Sequence, residues 1–221
     1  SDLRIDRSST TLMISDLFVI AEQLGCVWKL EKLCRNKALK AAVEKPEKVK
    51  LFLNVDGNII QDKAFIQGFT NRKAMKAGVP ASDIVFEITE RSDIENYQIL
   101  QQIMKHYADQ GYEIALDDVG AGHSGLNRVV NTTPDYLKAD IELVRDIYKY
   151  KKKEIMMKLL LDYCNATGAI LIAEGIETAQ ELECLHSLGV HYGQGFFLGK
   201  PERAFGNISA ESEEILERLN G

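Results

Sequence analysis

Short apolar runs rich in β-branched residues alternate with longer amphipathic segments along this 221-residue chain. That alternation restricts the fold more than any other feature of the sequence. The runs fall at residues 49–55, 84–89, 113–116, 136–138, 169–173 and 190–192. Between them, apolar residues recur at helical spacing. Ser15 is placed to cap a helix carrying Leu17, Phe18, Ile20 and Ala21, and residues 28–42 repeat the pattern with Leu30, Leu33, Cys34 and Leu39. Residues 62–77 read as helix. Asp93 or Ile94 opens another that runs to about Gln110, with Gly111 suited to end it. Residues 141–167 read as one long helix or two, closed by Gly168. Thr178 caps residues 179–188, with Glu181 at the capping-box spacing, and Ser209 opens a last charged helix.

Strands that read as buried on both faces, each followed by a helix, predict a parallel sheet covered by helices. A barrel of such units commonly occupies a length like this one as a single domain, here residues 1–221. An apolar content of 45% with 27% charged residues supplies an ordinary globular core. The net charge of −6 argues against binding polymeric nucleic acid, which needs a basic surface. It leaves room for a small anionic ligand, because a metal ion can supply positive charge. Cys26, Cys34, Cys164 and Cys184 form no CxxC pair and read as reduced structural thiols of a cytoplasmic chain. No apolar run is long enough to cross a membrane, so no membrane contact is expected of this domain, although a longer parent protein is free to carry an anchor. The basic run at 148–153 reads as a solvated helix face.

Each of the six runs has a polar residue near its C-terminal end: Asn54, Glu87, Asp117, Lys138, Glu174 and Gln194, with Asp118 directly after Asp117. One such residue is commonly a turn former or helix cap. Six in register are harder to dismiss, because charges at buried strand ends need partners. In a parallel barrel the strand C-termini open on one face, which carries the active site. Carboxylates and amide oxygens are hard ligands suited to magnesium or manganese. Two ions held by adjacent carboxylates can clamp an in-line phosphoryl displacement, with a lysine offsetting charge and a further glutamate taking a proton.

Six segments then carry a family resemblance. Residues 117–126, DDVGAGHSGL, resemble the DDFGTGYSSL loop of EAL domains. Residues 86–90 (FEITE) resemble the family's LEITE strand, and residues 136–140 (YLKAD) are similar to its LKID. Residues 172–177 (IAEGIE) resemble VAEGVE, residues 192–196 (YGQGF) resemble YAQGY, and residues 53–55 (LNV) resemble its VNLS strand. Together they cover about Phe18 to Pro201. The resemblance implies an α/β fold, a modified TIM-like (β/α) barrel. It implies a phosphodiesterase that opens cyclic di-GMP to pGpG with two magnesium or manganese ions, in bacterial second-messenger signalling. Asn54, Glu87, Asp117 and Asp118 then correspond to metal ligands. Lys138 would hold the nucleophilic water and a phosphate oxygen, Glu174 would be the general base, and Gln194 would orient it. Glu90 corresponds to the glutamate that anchors the loop after Asp118, and Glu177 to a contact near the site or the guanine. Gly120, Gly122 and Gly125 give that loop freedom to move. In the family, the loop and the helix after it couple metal binding to the contacts of a homodimer.

Two departures lie in the loop, His123 for tyrosine and Val119 for phenylalanine, and imply tuning rather than loss. A larger one lies at the start. The family has two strands before the helix near Ser15, the second bearing Glu-Ala-Leu and then an arginine. Aligning Leu3 with that leucine puts Ser1 where the glutamate belongs and leaves Arg4 or Arg7 as the phosphate-contacting arginine. The N-terminal strand then survives only as a remnant at about residues 1–8, so that the first strand or strands of the barrel are missing or incomplete. Trimming at a domain boundary, a degraded motif, or a strand supplied by another copy each accounts for this, and trimming is the favoured account. Loss of supporting groups around a metal costs about 10- to 100-fold in affinity or activity, so loss of a ligand should cost more. The expectation is a chain with weak metal binding and slow or absent hydrolysis. The alternative is an inactive cyclic di-GMP receptor or protein-interaction module.

Overall fold

The computed structural model describes residues 14–57, 59–89, 97–120, 125–202 and 205–220. The chain forms two compact units, Ser1–Ile114 and Ala115–Gly221. The remnant at residues 1–8, Arg4, Glu90, Gly122 and His123 lie outside the described residues.

The first unit contains α1 (Ile14–Gln23), α2 (Val27–Ala41), β1 (Leu51–Asp56), α3 (Phe69–Ala77), β2 (Ile84–Thr89) and α4 (Tyr97–Ala108). β1 and β2 pair in parallel without a register break, from Leu51 opposite Ile84 to Asp56 opposite Thr89. Its core is aromatic: Trp28, Phe86 and Tyr107 are buried, and the Phe86 ring lies 4.0 Å from Tyr107 and 5.0 Å from Tyr112. Burying one side chain of this size stabilises by about 1.5–3 kcal/mol.

A buried ion pair, Glu31 with Arg35 one turn later on α2, sits within these rings. The Arg35 guanidinium lies 5.1 Å from the centre of Phe86 and 5.2 Å from that of Trp28, and donates to Thr70 Oγ1 at 3.2 Å and Tyr107 Oη at 3.1 Å. Glu31 Oε1 accepts the Asp56 N–H at 2.5 Å. Burial pushes the Glu31 carboxyl above its ordinary value, against the pull of Arg35 and that N–H. One buried carboxylate thus fixes the end of β1, two residues beyond Asn54.

Residues 62–77 do not form the single helix that the pattern predicts. α3 starts at Phe69, after Gly68 with φ +68°. Asp62 is used elsewhere: its Oδ1 accepts the Ala64 N–H at 2.7 Å, and its Oδ2 accepts the Trp28 N–H at 3.3 Å. Cys26, the residue before α2, provides no side-chain cap, so Asp62 does so from 34 residues away.

β3 (Glu113–Val119) runs across the boundary between the units. The second unit continues with α5 (Gly125–Asn131), β4 (Tyr136–Ala139), α6 (Ile141–Val144), α7 (Lys151–Thr167), β5 (Ile170–Ala173), α8 (Ala179–Ser187), β6 (Tyr192–Gly193) and α9 (Ala210–Asn220). β4 pairs in parallel with β3 and with β5, and β5 with β6. All six expected strands are therefore present among the described residues. Leu137, Ala139, Leu171 and Ala173 of the strands are buried, as are Val144, Ile147, Met157 and Leu160 of the helical segments. The long helical stretch resolves into α6 and α7, separated by an extended Arg145 and by Asp146 at φ +54°. Gly168, at φ +81°, ends α7 as the sequence predicts. All four cysteines are free thiols, and burial pushes Cys164 up to about 11. In the basic run, Lys149 pairs with Asp146 at 2.8 Å and Lys151 with Glu154 at 2.5 Å, on an exposed surface.

Candidate active site

In a regular strand, Asp117 and Asp118 would point to opposite faces, because side chains alternate. A bulge changes this. β3 advances from Leu116 to Val119 while β4 advances only from Leu137 to Ala139, three steps against two, so one residue of β3 is extra. The extra step is taken at Asp118, whose φ is +57°. Aspartate tolerates this left-handed region better than most residues. Both aspartates are half-buried.

Lys138, on β4 beside the bulge, is buried, with 4% of its side chain exposed. Its Nζ lies 2.9 Å from Asp117 Oδ1 and 2.6 Å from Glu174 Oε1. Glu174 directly follows β5, and its N–H donates to Ala139 O at 3.0 Å. Carboxylate oxygens of Asp117, Asp118 and Glu174 all lie within 4.8 Å of one another. Burial, with the neighbouring Asp117 charge, pushes the Glu174 carboxyl up to about 8, although Lys138 opposes the shift. Such a carboxyl exchanges its proton near neutral pH, as a general acid or base must.

This donor set fits a hard divalent cation. It is all oxygen, with no thiol or imidazole, which suits magnesium, manganese or calcium rather than zinc or copper. Asp117, Asp118 and Glu174 are the residues that can hold one. The family resemblance implies Glu174 as a base but not as a member of a ligand-capable trio. The doublet of aspartates before Gly120, which itself has φ +104°, was the available signal.

The segment after Glu174 is tightly held. Gly175 has φ +71°, and a Cβ there would overlap the side chain of Ile141. The Gln194 backbone brackets the segment, donating to Ala173 O at 2.8 Å and accepting from Ile176 N at 3.0 Å. The Gln194 side chain itself is exposed. Glu177 is half exposed and lies 3.4 Å from the Arg145 guanidinium, a partner that sequence reading did not find. In the first unit, Asn54 and Glu87 are cross-strand partners. Asn54 is exposed, and Glu87 is buried at 5% exposure.

Parallel strands that end in carboxylates and a lysine, each followed by a helix, define an α/β protein with a strand-end acid cluster. The EAL domain model matches residues 3–201, and the chain belongs to the EAL domain family. A cyclic di-GMP phosphodiesterase, PdeA of Borreliella burgdorferi, is 26% identical over 191 residues, covering 85% of this chain and 28% of the relative. PdeB of Shewanella oneidensis, also a cyclic di-GMP phosphodiesterase, is 25% identical over 150 residues, covering 68% of this chain and 17% of the relative. The chain thus spans well under half the length of these curated relatives. Among solved structures, Klebsiella pneumoniae BlrP1 in a manganese and cyclic di-GMP complex superposes with a TM-score of 0.80 at 28% identity, over 88% of this chain and 50% of that one. A standalone EAL protein from Vibrio cholerae O395 bound to cyclic di-GMP gives a TM-score of 0.78 at 25% identity, over 89% and 84%. The fold is accordingly the modified TIM-like barrel of EAL domains. Among the described residues, no helix is long and apolar enough to cross a membrane.

Proposed function

We propose that this chain is a cyclic di-GMP phosphodiesterase domain that hydrolyses cyclic di-GMP to pGpG by in-line displacement with two divalent ions, magnesium or manganese. The observation that carries the reading is the group formed by Asp117, Asp118 and Glu174 around the Lys138 ammonium. Cyclic di-GMP and divalent-metal complexes of family members support it. By the motifs they occupy, Asn54, Glu87, Asp117 and Asp118 are assigned as ligands. When bound, the ions polarise a phosphoryl oxygen and offset the charge that develops on it. Glu174 takes the proton from the attacking water, and its raised pKa matches that task. Lys138 donates to the phosphate oxygen and holds Asp117 and Glu174 in place. Gln194 orients Glu174, and Glu177 with Arg145 borders the ligand. Glu90, Gly120, Gly122 and Arg4 keep the loop and phosphate roles of their motifs.

The proposed setting is a cytoplasmic domain that acts as a homodimer. Exposed Val130 on α5, with Ile155 and Leu159 one turn apart on α7, offers an apolar surface for a second copy. The second reading is a receptor that binds cyclic di-GMP without cutting it. Incubation with cyclic di-GMP and Mn²⁺, followed by chromatography for pGpG, separates the two. Product that disappears in Glu174→Gln supports the enzyme. Binding without product supports the receptor, and no binding sinks both.

A further inference from the structure

Glu181 begins as a helix-capping residue. Thr178 Oγ1 accepts the Glu181 N–H at 3.3 Å, and Glu181 Oε2 accepts the N–H groups of Glu177 at 2.9 Å and Thr178 at 3.0 Å. A capping box needs no more than this. Here the residue is 2% exposed, and its other oxygen, Oε1, accepts the Asp146 N–H at 2.8 Å from a segment 35 residues earlier. Three backbone N–H groups therefore converge on one buried carboxylate. Charge-assisted bonds of this kind are the stronger class.

The two segments joined in this way are the ones that leave the candidate active site. α6 and the Asp146 turn follow Lys138 by a few residues, and the stretch from Glu174 to Thr178 starts at the candidate base. They also meet near their other ends, where Gly175 lies directly on the Ile141 side chain. Asp146 holds a left-handed φ of +54°, a region that aspartate tolerates better than most residues but still occupies at a cost. The Glu181 bond to its N–H is a restraint on that turn.

We infer that Glu181 is a positioning residue. It clamps the Glu174–Thr178 segment to the turn after α6, and so fixes Glu174 relative to Lys138. The inference rests on the reading of Glu174 and Lys138 as working groups.

The test uses Glu181→Ala and Glu181→Gln in the full chain. The first readout is amide exchange in the metal-free protein. Loss of a cap alone accelerates exchange at Glu177 and Thr178. A positioning role also accelerates Glu174 and Ile176, whose N–H groups are bonded to Ala139 O and Gln194 O and not to Glu181, by about tenfold in the alanine variant. Glutamine retains one acceptor oxygen and should restore much of that protection. It also carries the test if the alanine variant does not fold. Protection at Glu174 and Ile176 within about twofold of wild type overturns the inference. The second readout is cyclic di-GMP turnover, with kcat expected to fall about tenfold at a nearly unchanged KM, and with partial rescue by glutamine. An unchanged kcat in the alanine variant also overturns it. A wild-type chain without turnover counts against the proposed phosphodiesterase activity alone, and the exchange readout still decides the role of Glu181.

Discussion

Replacing Lys138 with methionine keeps the length and apolar stem of the side chain and removes the ammonium. That ammonium lies 2.9 Å from Asp117 and 2.6 Å from Glu174, almost wholly out of water. Removing one partner of a buried ion pair costs about 3–5 kcal/mol. Here the cost depends on pH, because Glu174 can take up a proton. Its carboxyl titrates at about 8 in the folded chain against 4.5 for the free group, with burial the largest cause. A folded pKa raised above the unfolded one gives stability that is fully present below the unfolded value and is lost as pH rises through the folded value. Between about pH 4.5 and 8, wild type and variant lose this contribution in parallel, and the gap between them stays near the low end of that range. Above about pH 8 the wild-type loss from Glu174 is complete. In Lys138→Met, nothing replaces the cation that pulled the carboxyl down, so its pKa lies higher still. The variant goes on losing up to about 1.4 kcal/mol per pH unit. Urea unfolding with chelator present, at about pH 6, 8 and 9.5, gives the gap directly. A gap that stays constant or narrows above pH 8 would refute the assignment of Lys138 as the cation that holds Glu174.

Gly195→Ala should destabilise by about 2–6 kcal/mol in urea unfolding, because a Cβ there overlaps the Ile176 backbone and strains its bonds to Gln194 and Phe197. Gly199→Ala, with Asn207 O at 3.5 Å, should stay within about 0.5 kcal/mol of wild type. Thr178→Ala should cost about 1 kcal/mol in the same assay, the ordinary loss for an N-cap. Mn²⁺ affinity, followed by calorimetry, should rise with pH up to about 8 and level off above it, since the ion competes with the Glu174 proton, and Glu174→Gln should flatten the profile. Ile155→Glu with Leu159→Glu should leave the chain monomeric by light scattering if α7 carries the proposed dimer surface.

The sequence made the strands legible because each is a compact apolar run. It made Gly168 and the Thr178–Glu181 cap legible because their chemistry is local. Two elements that the sequence misread or left open depend on remote partners. Asp62 reads as the start of a helix, yet its carboxylate is taken by the N-terminus of α2, 34 residues away. The break at Arg145 and Asp146 has no proline or glycine to mark it, and the restraint on Asp146 comes from Glu181, 35 residues on. The site was legible as a list of polar strand ends, but its geometry was not. Alternation puts Asp117 and Asp118 on opposite faces, and only the comparison of β3 with β4 reveals the extra step that brings both to Glu174.

Carboxylates in this chain do two kinds of work, and their partners tell them apart. Glu31 faces Arg35 and one backbone N–H, and Glu181 faces three backbone N–H groups. Each is one acid met by a fixed set of donors, which is what a buried acid needs as part of the frame. The strand-end cluster is arranged differently. Lys138 is shared between Asp117 and Glu174, so one positive charge is divided between two carboxylates, and a third lies within 4.8 Å. Glu174 answers that imbalance by holding its proton to about pH 8. A group of acids that keeps a proton near neutrality, built on a bulge and a left-handed aspartate, is poorly arranged for stability alone. The same arrangement can exchange the proton for a divalent ion and pass it on during catalysis. That physical contrast, added to the family relationship, is why we propose Asp117, Asp118, Lys138 and Glu174 as the site of chemistry.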